Sequence, residues 1–193
     1  LWFKKQRLRN FFTMKIIIFL SCFAIIACGF KPKQKPFDAV EVEATSGEII
    51  LLGEINMANL QTSIVTPWFN EEFDRVTIDT LKIKYLKPFT KDLKIKVFMG
   101  SWCDDSQREL PHFFKILVSI DFDQDHLQMF AMSEEKTTPS NFEKGLEIYN
   151  VPTIIFFKNG KEINRFVELP VETLESDIQK IITEATYKHS YSL

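Results

Sequence analysis

The segment Gly100-Ser101-Trp102-Cys103-Asp104-Asp105-Ser106 decides the fold, because it joins a strand pattern to a helix pattern. Before it, residues 93–99 alternate between apolar and polar side chains and then become fully apolar, as in a strand that enters a buried sheet. After it, apolar residues recur at helical spacing over residues 110–117. The two aspartates fall in the first turn, where the positive end of the helix dipole favours acidic side chains. The sequence therefore predicts a cysteine between a buried strand and a helix.

Further strand and helix patterns flank this segment. Residues 37–52 are β-like with a turn at Ser46-Gly47, and residues 57–89 contain short helical stretches, one of them capped by Asp79. Residues 127–131 and 154–157 are also strand-like.

The carboxy-terminal part of the chain predicts a hairpin and a helix. Asn159-Gly160 is typical of a tight turn that leads into a strand over residues 163–167. The last helix opens near Pro170, and its apolar face consists of Val171, Leu174, Ile178, Ile181 and Ile182. The order strand, helix, strand, helix, hairpin and helix predicts a mixed α/β sheet with helices on both faces.

Four motifs in order resemble the thioredoxin family. They are Trp102-Cys103-x-x-Ser106 at a strand–helix junction, Pro111 within the following helix, Val151-Pro152-Thr153, and the hairpin Phe157-Lys158-Asn159-Gly160. The resemblance covers roughly residues 90–187 and implies a thioredoxin fold with an amino-terminal β/helical extension. The Trp-Cys-x-Asp-Ser form is similar to secreted thioredoxin-like lipoproteins of bacteria.

The resemblance assigns roles around one thiol. Cys103 would be the nucleophile, since a helix amino terminus favours the thiolate. Ser106, one turn on, would donate a hydrogen bond to it, and Trp102 would shield one side of the sulfur. Val151 and a cis Pro152 would form the loop that docks an extended substrate beside the thiol.

Several residues depart from the family pattern. The second cysteine is missing, and Val97 stands where many thioredoxins have a buried acidic residue. Glu168 replaces a substrate-facing glycine, and we interpret it as a proton carrier near Cys103. Asp104 and Asp105 place negative charge beside the sulfur, which opposes the helix dipole and disfavours the thiolate.

The missing cysteine limits the chemistry to a single thiol. A mixed disulfide on Cys103 must be resolved by an outside thiol. We therefore predict thiol–disulfide exchange, as an isomerase or a single-thiol reductase, with thiol- or disulfide-bearing proteins and an external thiol donor or partner oxidoreductase. The alternative is a non-catalytic protein that binds extended peptides or acts as a scaffold. A third reading, iron–sulfur transfer as in single-cysteine glutaredoxins, is disfavoured by the acidic Asp104-Asp105 pair.

The amino-terminal residues resemble a secretion signal. A basic stretch precedes the apolar residues 16–27, whose helix of roughly 18 Å is too short for a membrane core of roughly 30 Å. The run ends in Ile25-Ile26-Ala27-Cys28, which resembles the lipobox of bacterial lipoproteins. That resemblance implies cleavage before Cys28, lipidation of its thiol, and a membrane anchor that faces the periplasm. An ordinary signal peptide with a chance cysteine is the alternative.

The signal and lipobox assignments give each of the three cysteines a different role. Cys22 leaves with the signal and Cys28 carries the lipid, so Cys103 is the remaining free thiol. We divide the chain into five segments: a signal peptide (1–27, of which 1–13 precede Met14 and read as an over-extended start), a lipidated tether (28–39), an amino-terminal extension packed on the domain (40–89), the thioredoxin-like domain (90–187) and a tail (188–193).

Charge and composition exclude other classes of function. Residues 1–27 contain five of the 24 basic residues and no acidic one, which leaves 19 basic against 26 acidic side chains in the remainder. A nucleic-acid-binding protein needs a basic face, so we expect no nucleic acid partner. The cysteines and histidines lack the spacing of metal ligands, so we expect no metal and no cofactor.

Overall fold

The structure is a computed structural model that describes residues 39–192. The signal peptide and the lipidated Cys28 predicted above lie outside these residues. The described strands are β1 (Val40–Glu43), β2 (Ile49–Ile55), β3 (Leu93–Met99), β4 (Leu127–Ala131), β5 (Thr153–Lys158) and β6 (Lys161–Val167). The described helices are α1 (Met57–Thr62), α2 (Trp68–Arg75), α3 (Thr80–Lys84), α4 (Asp104–Ser119) and α5 (Leu174–Ile182), with 3₁₀ turns at Lys87–Thr90 and Gln124–His126.

The six strands form one mixed sheet in the order β1-β2-β4-β3-β5-β6. Strands β3 and β4 are parallel, and the other neighbouring pairs are antiparallel. Asn159 and Gly160 connect β5 to β6 with φ values of 52° and 75°, the left-handed conformation that this turn requires. The predicted mixed α/β sheet and the hairpin are therefore confirmed.

One large apolar cluster lies between the sheet and the helices. It includes inward-facing residues of the central strands, such as Val97 and Met99, and buried residues from all five described helices. A smaller cluster covers the opposite face, where Phe98 and Phe130 stack at 5.1 Å between ring centroids. The cover there is the connection from β4 to β5 and not a helix. The described helices thus pack on one face of the sheet, which corrects our expectation of helices on both faces.

The connection from β4 to β5 consists of turns, although the predicted element order places a helix there. Side chains satisfy its backbone locally: Thr138 Oγ1 accepts the amide N–H of Phe142 at 2.8 Å, and Glu143 accepts the amide N–H of Thr138 at 3.2 Å. Such side-chain bonds compete with helical hydrogen bonding, and they explain the missing helix.

The start of α5 also differs from the prediction. Thr173 is the N-cap, and its hydroxyl accepts the amide N–H of Ser176 at 3.2 Å. The buried carboxylate of Asp177 accepts the amide N–H groups of Val171 at 2.6 Å and Glu172 at 3.3 Å. These bonds hold the chain in a turn before the helix, so Val171 stays outside the helix and is exposed.

Candidate functional site

Cys103 is the N-cap residue of α4, and it follows the end of β3 by a short turn. Its amide N–H donates to the carbonyl of Gly100 at 3.1 Å, which closes that turn. The side chain is half-buried, and it is the free cysteine of the described residues. Its thiol S–H donates to the carbonyl oxygen of Val151 at 3.1 Å. The thiol therefore lies between the amides at the helix start and a second loop.

The second loop is the Val151-Pro152 segment at the start of β5. Its peptide bond is cis, and both residues are buried. The carbonyl of Pro152 accepts the amide N–H of Glu168 at 2.8 Å, which fixes the loop against the end of β6. The two segments that the sequence assigned to catalysis and docking thus meet at the Cys103 sulfur.

Trp102 forms a wall of the site through two close contacts. Its indole Nε1–H donates to the carbonyl of Met132 at 3.0 Å, and Lys136 Nζ lies 5.3 Å from a ring centroid. The indole also lies directly against Gly100, where an added Cβ would be 2.6 Å from Cε2. The indole can therefore occupy this position only because residue 100 has no Cβ atom.

Ser106 is fully buried beneath the turn. Its hydroxyl oxygen accepts the amide N–H of Gly100 at 3.2 Å. Within residues 39–192 there is no hydrogen bond between Ser106 and Cys103. The side chain thus holds the turn that precedes the thiol, and the predicted bond to the sulfur is not formed in this state.

The two aspartates of the motif have different surroundings. Asp104 is exposed, whereas Asp105 Oδ1 accepts a hydrogen bond from Arg108 Nη2 at 2.5 Å. Arg108 also pairs with the buried Glu109 at 2.8 Å. Burial raises the pKa of Glu109 above its ordinary value, although the Arg108 guanidinium acts in the opposite direction. The charge of Asp105 is therefore balanced locally, whereas Asp104 has no ion-pair partner within residues 39–192.

Glu168 directly follows β6 and contacts the docking loop through its amide N–H, which donates to the carbonyl of Pro152. Its backbone is left-handed, with φ of 61°, and its Oε2 accepts a hydrogen bond from Asn150 Nδ2 at 2.6 Å. Tyr191 faces the same carboxylate: hydrogen bonding to Glu168 and the negative charge there raise the pKa of its phenol. Glu168 thus joins the docking loop to the carboxy-terminal tail.

No family model matches the chain. Among curated proteins, the chain is similar to a thioredoxin-like protein of Acanthamoeba polyphaga mimivirus, with 29% identity over 89 residues. The match covers 46% of this chain and 62% of that protein, which is less than two thirds of its length. The fold is thioredoxin-like.

Solved structures give further likenesses. The thioredoxin-like fold is similar to that of a protein of unknown function from Pseudomonas aeruginosa, with a TM-score of 0.46, 15% identity, and coverage of 65% of this chain and 78% of that one. It is also similar to oxidised mitochondrial thioredoxin 3 of Saccharomyces cerevisiae, with a TM-score of 0.36, 17% identity, and coverage of 58% and 98%. The similarity to the mimivirus protein therefore extends over part of this chain and part of that protein.

Two residues that the motifs did not indicate also shape this thioredoxin-like site. Ser101 Oγ accepts the amide N–H of Leu51 at 2.9 Å and is buried, so it ties β2 to the turn before the thiol. Gln107 Nε2 donates to the carbonyl of Ser101 at 2.9 Å. Both flank the motif in sequence, but their partners are set by tertiary contacts that no local pattern indicates.

Residues 39–192 contain neither a cluster of metal ligands nor a helix able to cross a membrane. Residues 39–192 contain no group of three or more histidine, cysteine or acidic side chains placed to hold a metal ion. None of the helices in this range combines the length and the apolar character that membrane crossing requires.

Proposed function

We propose that the protein carries out thiol–disulfide exchange through Cys103 alone. The observation that carries the proposal is the 3.1 Å hydrogen bond from the half-buried Cys103 thiol to the carbonyl of Val151. The bond brings the sulfur next to the cis-proline loop, and Cys103 stands at the amino terminus of α4. The thioredoxin-like relative supports the class of chemistry, and the residues of the site support the single-thiol mechanism.

The first step consumes the thiolate of Cys103. Its sulfur attacks one sulfur of a protein disulfide, the substrate S–S bond breaks, and a new S–S bond joins Cys103 to the substrate. The second substrate sulfur leaves as a thiolate and takes a proton. The proton that Cys103 gave up passes to solvent or to Glu168, which we propose as the proton carrier of the site.

The second step needs a thiol from outside the described domain, because Cys103 has no cysteine partner there. If a substrate thiol attacks the adduct, a rearranged disulfide forms, Cys103 leaves as a thiolate, and no net electrons are transferred. If an external thiol instead attacks the Cys103 sulfur of the adduct, the substrate leaves with both its sulfurs reduced, and the external thiol is now bound to Cys103. A second external thiol attacks that new disulfide and releases Cys103 as a thiolate. In total, two external thiols become a disulfide and the substrate is reduced. The first outcome is isomerase activity, and the second is single-thiol reductase activity.

The surrounding residues have supporting roles in this proposal. Trp102 shields one side of the sulfur, and the Val151-Pro152 loop aligns an extended substrate strand against it. Asp104 adds an exposed negative charge in the first turn beside the sulfur, which opposes the positive end of the helix dipole.

The test uses a scrambled-disulfide protein with glutathione as the external thiol. We expect the full chain to accelerate recovery of the native disulfides and Cys103→Ala to lose this acceleration, although it keeps Cys22 and Cys28. Ser119→Ala, on the distal end of α4, is the matched control and should keep the wild-type rate. Equal rates for the wild type and Cys103→Ala would refute exchange and favour the alternative, a peptide-binding protein.

We also propose that a lipid on Cys28 anchors the domain in the bacterial cell envelope, facing the periplasm. The support is the sequence alone: an apolar run, a small residue and then a cysteine. Intact mass spectrometry of membrane-extracted protein should give residues from Cys28 onward plus acyl chains. A mass that includes residues 16–27 without acyl chains would contradict the anchor.

A further inference from the structure

A pocket of about 420 Å³ lies beside the docking loop. Asn150 lines it and directly precedes Val151, whose carbonyl accepts the Cys103 thiol. A substrate strand that docks on Val151 would therefore pass the mouth of the pocket. Because side chains alternate along an extended strand, one of them would point toward the pocket within a residue or two of the reacting cysteine.

The carboxy-terminal tail forms one wall of this pocket. Ser190 Oγ donates to the carbonyl of Leu169 at 2.6 Å, and Asn164 Nδ2 donates to the carbonyl of Tyr187 at 3.2 Å. These bonds hold the tail against β6 and place Tyr191 at the pocket. The site is therefore assembled from three separate stretches of chain, which distinguishes it from a gap in one loop.

The charges in the pocket leave one carboxylate uncompensated. Arg165 pairs with Glu162 through two bonds of 2.7 Å, so these two charges offset each other. Burial, together with Arg165, lowers the pKa of His189, which favours its neutral form. Glu147 lines the pocket, is exposed, and has no ion pair or hydrogen-bond partner for its side chain within residues 39–192.

Two aromatic rings stand at the mouth. Tyr149 is 75% exposed and Tyr191 is 50% exposed, so both rings are accessible to a docking partner. Aromatic faces attract Lys and Arg side chains, and a nearby carboxylate adds to that attraction. Glu168, beside Tyr191, makes the same edge more negative.

We propose that this pocket binds a Lys or Arg side chain close to the reacting cysteine of the disulfide-bearing partner. The ring faces of Tyr149 and Tyr191 contact the cation, and Glu147 pairs with it. The inference rests on the proposed exchange function and adds a preference to it: the partner segment is basic. An acidic segment would place its charge against Glu147 and Glu168 and would dock poorly.

The test compares cysteine peptides that differ only in the flanking residues: Lys, Ser or Glu. Each is supplied as a mixed disulfide with 5-thio-2-nitrobenzoate, and release of that coloured thiolate gives the rate. Intact mass gives the number of peptide adducts, and the adduct that Cys103→Ala lacks is the one on Cys103. Each rate is divided by the rate of the same peptide with 2-mercaptoethanol, which removes differences in intrinsic reactivity.

We expect Lys peptides to react about tenfold faster than Glu peptides with the wild type at low ionic strength. In Glu147→Gln the ratio should fall to about threefold, and Tyr149→Leu should lower the Lys rate about twofold to fivefold. Glu48→Gln removes the same charge from an exposed position on β1–β2 and should leave the ratio unchanged.

The outcomes separate this inference from the function on which it rests. If exchange depends on Cys103 but all peptides react at equal rates, binding of a basic side chain in the pocket is refuted and the exchange function stands. If Glu147→Gln and Glu48→Gln reduce the Lys preference equally, the preference comes from the overall charge of the protein. That result would also refute binding of a basic side chain in the pocket. If no peptide forms an adduct on Cys103, the proposed function itself fails.

Discussion

Replacement of Gly100 by alanine should displace Trp102 from the site. The new Cβ would lie 2.6 Å from Cε2, 2.8 Å from Nε1 and 2.9 Å from Cζ2 of the indole. Non-bonded carbon atoms prefer about 3.5–4.0 Å, so the ring must move by roughly 1 Å. That movement strains the bond from Nε1 to the carbonyl of Met132, now 3.0 Å long.

The expected loss of stability follows from these two contacts. Overpacking of this kind costs about 1–3 kcal/mol, and the weakened hydrogen bond costs about 0.5–1.5 kcal/mol. We therefore expect Gly100→Ala to lower the free energy of unfolding by about 2–4 kcal/mol. The backbone of Gly100 is not left-handed, so without the indole an alanine there would be neutral or slightly stabilising.

Urea unfolding followed by far-ultraviolet circular dichroism measures the effect, and a double-mutant cycle assigns its cause. Trp102→Leu removes the three clashing atoms, so Gly100→Ala should cost less than about 1 kcal/mol in that background. The reasoning is refuted if Gly100→Ala is as stable as the wild type. It is also refuted if the cost is the same in both backgrounds.

Two further predictions concern contacts that support the site. Ser101→Ala should cost about 1–3 kcal/mol in urea unfolding, because the buried amide N–H of Leu51 loses its acceptor, and a cost near zero would contradict this. Glu175→Gln should cost about 0.5–1.5 kcal/mol at pH 7, because Glu175 Oε1 lies 3.0 Å from His112 Nε2 and joins α5 to α4. Burial would raise the pKa of Glu175, but hydrogen bonds from its own backbone amide and from His112 outweigh burial and hold the pKa below its ordinary value of 4.5. The native carboxylate is therefore favoured, and its contribution is complete above pH 4.5 and is lost as the pH falls through the lowered pKa. The difference between wild type and variant should shrink over that range, and a constant difference from pH 7 to pH 3 would contradict the assignment.

Much of the fold could be predicted from local patterns. The strands over 93–99 and 127–131 and the hairpin at Asn159-Gly160 appear where the sequence predicts them. Alternation, helical spacing and turn residues report on neighbours two to four positions apart, and these elements depend mainly on such neighbours. The same holds for Cys103 at the start of α4, because the acidic first turn and the preceding apolar strand are both visible in the sequence.

The start of α5 and the β4–β5 connection were predicted wrongly for the same reason: side chains there form hydrogen bonds with the backbone. The helix α5 begins after Thr173 because Asp177 takes the amides of Val171 and Glu172. The β4–β5 connection stays irregular because Thr138 and Glu143 take backbone groups that a helix would use. Periodicity does not distinguish a side chain that points to solvent from one that bonds to the backbone.

By itself the sequence determined a thioredoxin-like α/β sheet with one cysteine at the start of a helix. The tertiary structure decided what surrounds that cysteine. It placed Val151 against the sulfur, although the two residues are 48 positions apart, and it directed Ser106 to the amide of Gly100. It also brought Tyr191 to Glu168 at the mouth of a pocket. Local preferences specify elements, whereas contacts between distant residues form only when the sheet and the helices pack together.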